Sequence, residues 1–145
     1  AALDRDGVER IIPDWRARAR TAALTHDLKT LGIACDPLPM PYFRSAAEIL
    51  GAVYVLEASR MGERVMLARL AEDPDSSAMN ATAYLRHGFG KRFWPSFLAL
   101  LENHPEAQAD PAGVVHGADI AFAMFEDTLL PVTQIAPASF TQVSA

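Results

Sequence analysis

The sequence predicts an all-α protein built as a packed helical bundle. Three observations carry this prediction. No segment reads as a convincing strand. The run Gly51-Ala-Val-Tyr-Val-Leu-Glu-Ala-Ser-Arg-Met-Gly-Glu-Arg-Val-Met66 reads as one long apolar helix. Helix-start chemistry recurs along the chain, with Ser45 three residues before Glu48 and Asp110 directly before Pro111.

Five helical segments follow in order. The first is expected from about Pro13 to Leu31, with Pro13 in its first turn and Gly32 as the residue just past its end. Residues 34–43 form a connector broken by Pro37, Pro39 and Pro41. Ser45 then caps a second helix that is expected to run to about Leu70, with Glu48 completing a capping box. Asp73 to Ser77 reads as a polar turn, and Ala78 to Leu85 as a short helix. Gly88-Phe89-Gly90 breaks the chain before a fourth helix, Lys91 to Asn103, in which Pro95 falls in the first turn. Asp110 caps the last helix, Pro111 takes its first position, and Pro131 is expected to stop it. The tail 133–145 is expected to be irregular.

The second helix carries the strongest functional signal. Gly62 lies eight residues after Tyr54 and four after Ala58, so these positions share one helix face with Met61. A glycine inside a helix costs roughly 1 kcal/mol relative to alanine. The usual compensation is a bend, or a close approach to the backbone by something large and flat or by another helix. The helix is therefore expected to bend near Gly62.

Composition bounds the answer. The 145 residues suffice for one domain with its own core. Half of them are hydrophobic and 21% are charged, which fits a globular chain. A net charge of −5 and a pI near 5.3 argue against a nucleic-acid binder. The single cysteine, Cys35, excludes a disulfide framework and a multi-cysteine metal site, and reads as a packed thiol. No stretch approaches the roughly 20 apolar residues of a membrane span, and no signal peptide is visible. These features predict a cytoplasmic protein. The sequence begins with Ala1, which is compatible with a trimmed or incomplete N-terminus.

Three segments together resemble the haem oxygenase family, especially the bacterial members that accompany bacteriophytochromes. Leu50-Gly-Ala-Val-Tyr-Val-Leu-Glu-Ala-Ser-Arg-Met-Gly-Glu63 is similar to the family's distal helix, which reads like LGALYVLEGSTLGG. His87-Gly-Phe-Gly-Lys-Arg-Phe-Trp-Pro-Ser-Phe97 is similar to its YG…G…W…F stretch, and Gly117 to Glu126 to its last core helix. Leu24 to Gly32 resembles the segment that precedes this pattern, so the likeness spans about Asp6 to Leu130.

In that family haem lies between a proximal helix carrying an iron-ligating histidine and the kinked distal helix. The resemblance implies that Ala58 and Gly62 face the haem, with Ser59 beside them. It implies that Tyr54 lines the distal pocket, that Phe122 forms the wall beyond it, and that Lys91 and Arg92 pair with the haem propionates. The implied chemistry opens haem, both cofactor and substrate, to biliverdin, carbon monoxide and iron. A ferredoxin-type reductant would supply electrons and a bacteriophytochrome would receive biliverdin. The rival reading is a degenerate member that keeps the fold as a binding or interaction module. A third is an unrelated bundle whose glycine permits close packing.

The chain departs from the family pattern in three places. Ala58 and Glu63 stand where glycines are usual, and no histidine precedes His26. Catalytic residues are therefore unassigned, and no residue of the chain is expected to ligate the iron from the proximal side. One or two helices are expected to be missing between Arg5 and Asp6 or before Ala1.

Simpler readings stand beside these. Gly62 is as readily a helix-packing contact. His26 reads as a surface residue, His87 as a helix-end residue, His104 as a loop residue before Pro105, and His116 as part of the last helix's start. No two histidines have the spacing of a helical metal pair, and no metal site is expected. Arg16, Arg18 and Arg20 read as a solvated face, Glu57 with Arg60 as a surface pair, and Glu63 as solvated. Phe93, Trp94, Phe97, Phe122 and Phe125 read as core.

Overall fold

The computed structural model describes residues 3, 7–36, 39, 41–72 and 77–133, with backbone alone over 128–133. Among them there is no strand. The helices are α1 (Val8–Ile11), α2 (Trp15–Arg18), α3 (Thr21–Thr30), α4 (Ala46–Ala58), α5 (Arg60–Ala71), α6 (Ala83–Arg86), α7 (Phe93–Asn103), α8 (Pro105–Ala109) and α9 (Pro111–Thr133), with a 3₁₀ turn at Ser77–Asn80.

α4 is the hub. One side contributes Leu50 and Val53 to a core completed by Leu3, Val8, Ile12, Trp15 and Phe97. Another side carries Ala52 and Val55 against Ala121 of α9. The two helices meet almost backbone to backbone. A methyl group on Gly51 would come within 1.8 Å of the Val114 carbonyl oxygen, and one on Gly117 within 1.9 Å of the Glu48 carbonyl oxygen. The close-packing glycines are thus Gly51 and Gly117, not Gly62.

Several expected signals act as read. The Ser45 hydroxyl accepts from the Glu48 N–H at 3.2 Å, while the Glu48 carboxylate reaches back to the Arg44 N–H at 2.6 Å. Asp110 accepts from the Gly113 N–H at 2.8 Å. Gly32, at φ +67°, ends α3: its N–H donates to the Lys29 carbonyl at 3.1 Å and that of Ile33 to the Leu28 carbonyl at 2.9 Å. The described part of the 34–43 connector is non-helical.

Other expectations need correction. The expected first helix is two, α2 and α3, and a further short helix, α1, precedes Pro13. Pro13 forces the residue before it out of helical geometry, and Ile12 is extended (φ −127°, ψ 91°) and fully buried. A second break falls at Ala19, with ψ at 130°. The second helix is interrupted at Ser59, three residues before Gly62, and its second part reaches Ala71. The 78–85 segment divides into the 3₁₀ turn and α6, and the fourth helix begins at Phe93 rather than Lys91. His104 does not sit in a plain loop: its side chain caps α8 by accepting from the Glu106 N–H. α9 continues through Pro131 to Thr133, because a proline in the last turn forfeits only one ladder bond.

Phe97 is core, but Phe122 and Phe125 are exposed. α9 turns its small residues Gly113, Gly117 and Ala121 toward α4, which leaves those aromatic positions off the contact. Cys35 is exposed rather than packed, since it lies in the irregular connector after Gly32. The expected irregular tail beyond Thr133, the turn at 73–76 and the Arg5–Asp6 junction lie outside the described residues.

Candidate functional site

The face expected to carry function is the α4–α5 segment around Ser59. Tyr54 is partly exposed and tilts its ring against that of Trp94, centroids 5.2 Å apart. Met61 and Val65 are exposed at 60% and 55%, and a methyl on Gly62 would meet nothing within 4 Å. Ala58 is half-buried. Together these leave exposed apolar side chains around an open position at Gly62.

Lys91 is exposed and lines a 290 Å³ cleft beside this strip, with Met61, His87, Phe89 and Trp94. Arg92 precedes α7 as its N-cap residue and is exposed outside that cleft. Phe122 is 54% exposed on α9 and lines neither this cleft nor the larger cavity below. Ser59 is turned to the interior: its hydroxyl donates to the Leu56 carbonyl at 2.8 Å and accepts from Arg20 at 3.0 Å. The structure thus brings Tyr54 and Lys91 to Trp94, and does not bring Arg92 or Phe122 to them.

The interior side of the junction is ionic. Glu57 is 1% exposed and lies between Arg18 (3.2 Å) and Arg60 (3.0 Å). Arg18 also donates to Asp14, to the Ser96 hydroxyl and to the Phe93 carbonyl. Arg60 donates to the carbonyls of Arg18 and His87. Arg20 pairs with buried Glu63. The readings of Arg18 and Arg20 as a solvated face, of Glu57–Arg60 as a surface pair and of Glu63 as solvated are therefore corrected; Arg16 is exposed, as expected. The reason is the break at Ala19. Residues two apart on a continuous helix point in nearly opposite directions, whereas one extended residue between them lets both side chains turn inward.

Burial pushes the Glu63 carboxyl above its usual range, although Arg20 and Arg60 oppose this. Burial also lowers the His87 imidazole below its usual value, and the nearby Arg60 and Arg20 guanidiniums push the same way. Asp27, also buried, accepts from the N–H groups of Ala83 (3.0 Å) and Tyr84 (2.7 Å), so α3 caps α6 across the fold. A carboxylate next to a surface histidine gave no sequence signal of this.

A second cavity of about 880 Å³ lies between α3, the connector, α4 and α9, with Leu24, Leu28, Ile33, Phe43, Leu56 and Phe125 among its walls. It is the larger of the two but contains none of Tyr54, Ala58, Ser59, Gly62, Lys91, Arg92 or Phe122. Among the described residues no group of three or more His, Cys, Asp or Glu side chains is placed to hold a metal ion. His26 is exposed on α3, and His116 is exposed 4.0 Å from Glu48.

No family model matches the chain, and no solved structure matches it significantly. A heme oxygenase of Xanthomonas campestris pv. campestris (strain 8004) is similar to it, 33% identical over 116 residues that cover 79% of this chain and 70% of that protein. An all-α architecture and this extent of shared sequence make the chain a member of the heme oxygenase family.

Proposed function

We propose that the chain binds haem on the open face of α4–α5 and that this face serves oxidative opening of haem to biliverdin, carbon monoxide and iron. One observation carries the reading: Gly62 fronts open space in the middle of an exposed apolar strip made by Tyr54, Met61 and Val65. Haem, when bound, supplies an iron able to activate oxygen. The chain's own residues supply placement. Gly62 and Ala58 leave room for the ring, Tyr54 braced by Trp94 walls one edge, and Lys91 meets a propionate. Of the other residues implied by the resemblance, Ser59 shapes the floor from behind, whereas Arg92 and Phe122 lie outside this face and have no part in the proposal.

In this reading His26, His87, His104 and His116 are not the proximal ligand. The His87 ring contacts Arg60, and His104 caps α8. A ferredoxin-type electron donor, a bacteriophytochrome recipient and a cytoplasmic setting belong to the same proposal. Among the described residues no helix is long and apolar enough to cross a membrane.

Hemin titration of the purified chain, followed by its Soret band, tests the reading. The parent protein is expected to bind hemin, and Gly62→Leu to lose binding while keeping its far-UV circular dichroism. Unchanged affinity in Gly62→Leu, with loss in Leu28→Trp, moves the site to the larger cavity. Reduction of bound hemin then separates an enzyme, which forms biliverdin, from a binding module, which does not.

A further inference from the structure

We propose that Arg20 is a positioning residue that fixes the junction between α4 and α5 and so aims the Tyr54–Gly62 face. Its guanidinium straddles the interruption at Ser59. Nη2 donates to the Leu56 carbonyl at 2.7 Å, on the α4 side, and to the Ser59 hydroxyl at 3.0 Å, at the break itself. Nη1 pairs with Glu63, on the α5 side. One side chain thus ties three points of the junction together. The plane of the group is held from outside as well. It lies over the Tyr84 ring, 4.6 Å from the centroid, and the N–H of Tyr84 is pinned by Asp27. The break at Ala19 brings Arg20 inward, where it is 8% exposed.

The geometry uses what is particular to arginine. A planar fork reaches acceptors in several directions at fixed angles, whereas a lysine ammonium is a point charge. Glu63 follows Gly62 directly, so the position of one sets that of the other. The carboxylate at position 63, where the family usually has glycine, therefore has a role here: it anchors the floor from behind. The tie across the break follows from the contacts, and its bearing on haem rests on the proposed function above.

Two variants test this in the full chain. Arg20→Lys keeps the charge opposite Glu63 and loses the fork. The double variant Arg20→Met/Glu63→Leu removes both charges together, so no buried charge is left without a partner. Native-state amide hydrogen exchange is read at residues 59–63 and, for comparison, in the first part of α4. Exchange is expected to rise by about tenfold or more at 59–63 in both variants, with little change at 50–54. Hemin affinity is expected to fall by about tenfold with a broadened Soret band, at temperatures where far-UV circular dichroism matches the parent. A merely structural role would shift the melting temperature and leave the spectrum of the bound, folded fraction unchanged. Unaltered exchange at 59–63 in both variants overturns the proposal. So does altered exchange with parental hemin affinity, provided Gly62→Leu loses hemin. If Gly62→Leu binds hemin normally, the haem-face reading fails, and the exchange result alone decides whether Arg20 holds the junction.

Discussion

Replacing Gly117 with alanine tests the close crossing of α4 and α9. The added methyl would sit 1.9 Å from the Glu48 carbonyl oxygen and 2.6 Å from its carbon, where ordinary contact begins near 3.4 Å. The obstacle is backbone, which cannot rotate away as a side chain end would. The helices must part by roughly 1.5 Å, loosening Ala52, Val55 and Ala121 together. Overpacking of a core costs about 1–3 kcal/mol where side chains can shift, so a cost of about 3–4 kcal/mol is expected here. That is a large share of the roughly 5–15 kcal/mol that holds a domain folded. At about 4 °C per kcal/mol for a chain of this size, the melting temperature should fall by about 12–16 °C. Gly62→Ala is the matched control. Nothing lies within 4 Å of the new methyl, and the helix gains about 0.5–1 kcal/mol from the better helix former. Urea unfolding followed by circular dichroism measures both. A Gly117→Ala protein within about 1 kcal/mol of the parent would refute the reasoning.

Asp27→Ala should cost about 1–2 kcal/mol, since it strips the cap from α6 and leaves the Ala83 and Tyr84 N–H groups without their acceptor; urea unfolding reads the loss, and no change would show that α6 is held otherwise. For His87, whose folded pKa lies below the usual 6.5, the unfolded chain takes up a proton in a window where the folded one does not. Its contribution is fully present above that value and is lost as pH falls below it, so His87→Gln should flatten the dependence of the urea midpoint on pH just below 6.5. A slope unchanged by the substitution assigns it to other groups. Cys35, being exposed, should react with a thiol reagent in the native protein as fast as in urea; strong native protection would restore the packed thiol expected from sequence.

Local signals were legible because their causes are local. Ser45 with Glu48, Asp110 before Gly113, and Gly32 after α3 each act through atoms within a few residues. The shared face of Tyr54 and Met61 was legible too, since it follows from helical spacing, whereas the break falls at Ser59 and not at the glycine expected to cause it. What was hidden depends on tertiary geometry. Nothing near Ala19 announces an extended residue, and without that break Arg18 and Arg20 read as opposite, solvated faces. Gly51 and Gly117 looked like ordinary small residues until the two helices were placed against each other. Asp27 caps a helix 56 residues away, a relation that no sequence window contains.

The buried arginines and the broken helices are one arrangement. Every helix end leaves carbonyl groups without an intrahelical donor, and short helices multiply such ends. Here Arg60 serves the carbonyls of Arg18 and His87 at the ends of α2 and α6, and Arg20 serves that of Leu56 near the end of α4, while Arg18 ties the cluster to the Phe93 carbonyl at the start of α7. Glu57 and Glu63 then neutralise the donors. Among the described residues no buried side-chain polar atom lacks a partner. This decides how a wholesale replacement should behave. Exchanging a buried ion cluster for apolar residues of similar volume is often neutral or stabilising by about 1–4 kcal/mol, because desolvation is relieved. The triple variant Arg18→Met/Glu57→Leu/Arg60→Met should do the opposite. It relieves the same desolvation but orphans the backbone carbonyls of Arg18 and His87, each costing about 1–3 kcal/mol, while that of Phe93 keeps the Ser96 hydroxyl as a donor. Net destabilisation of a few kcal/mol in urea is expected, together with faster hydrogen exchange at the ends of α2 and α6. A triple variant as stable as the parent would mean that water takes over those carbonyls, and that the arginines are held there for the charge cluster alone.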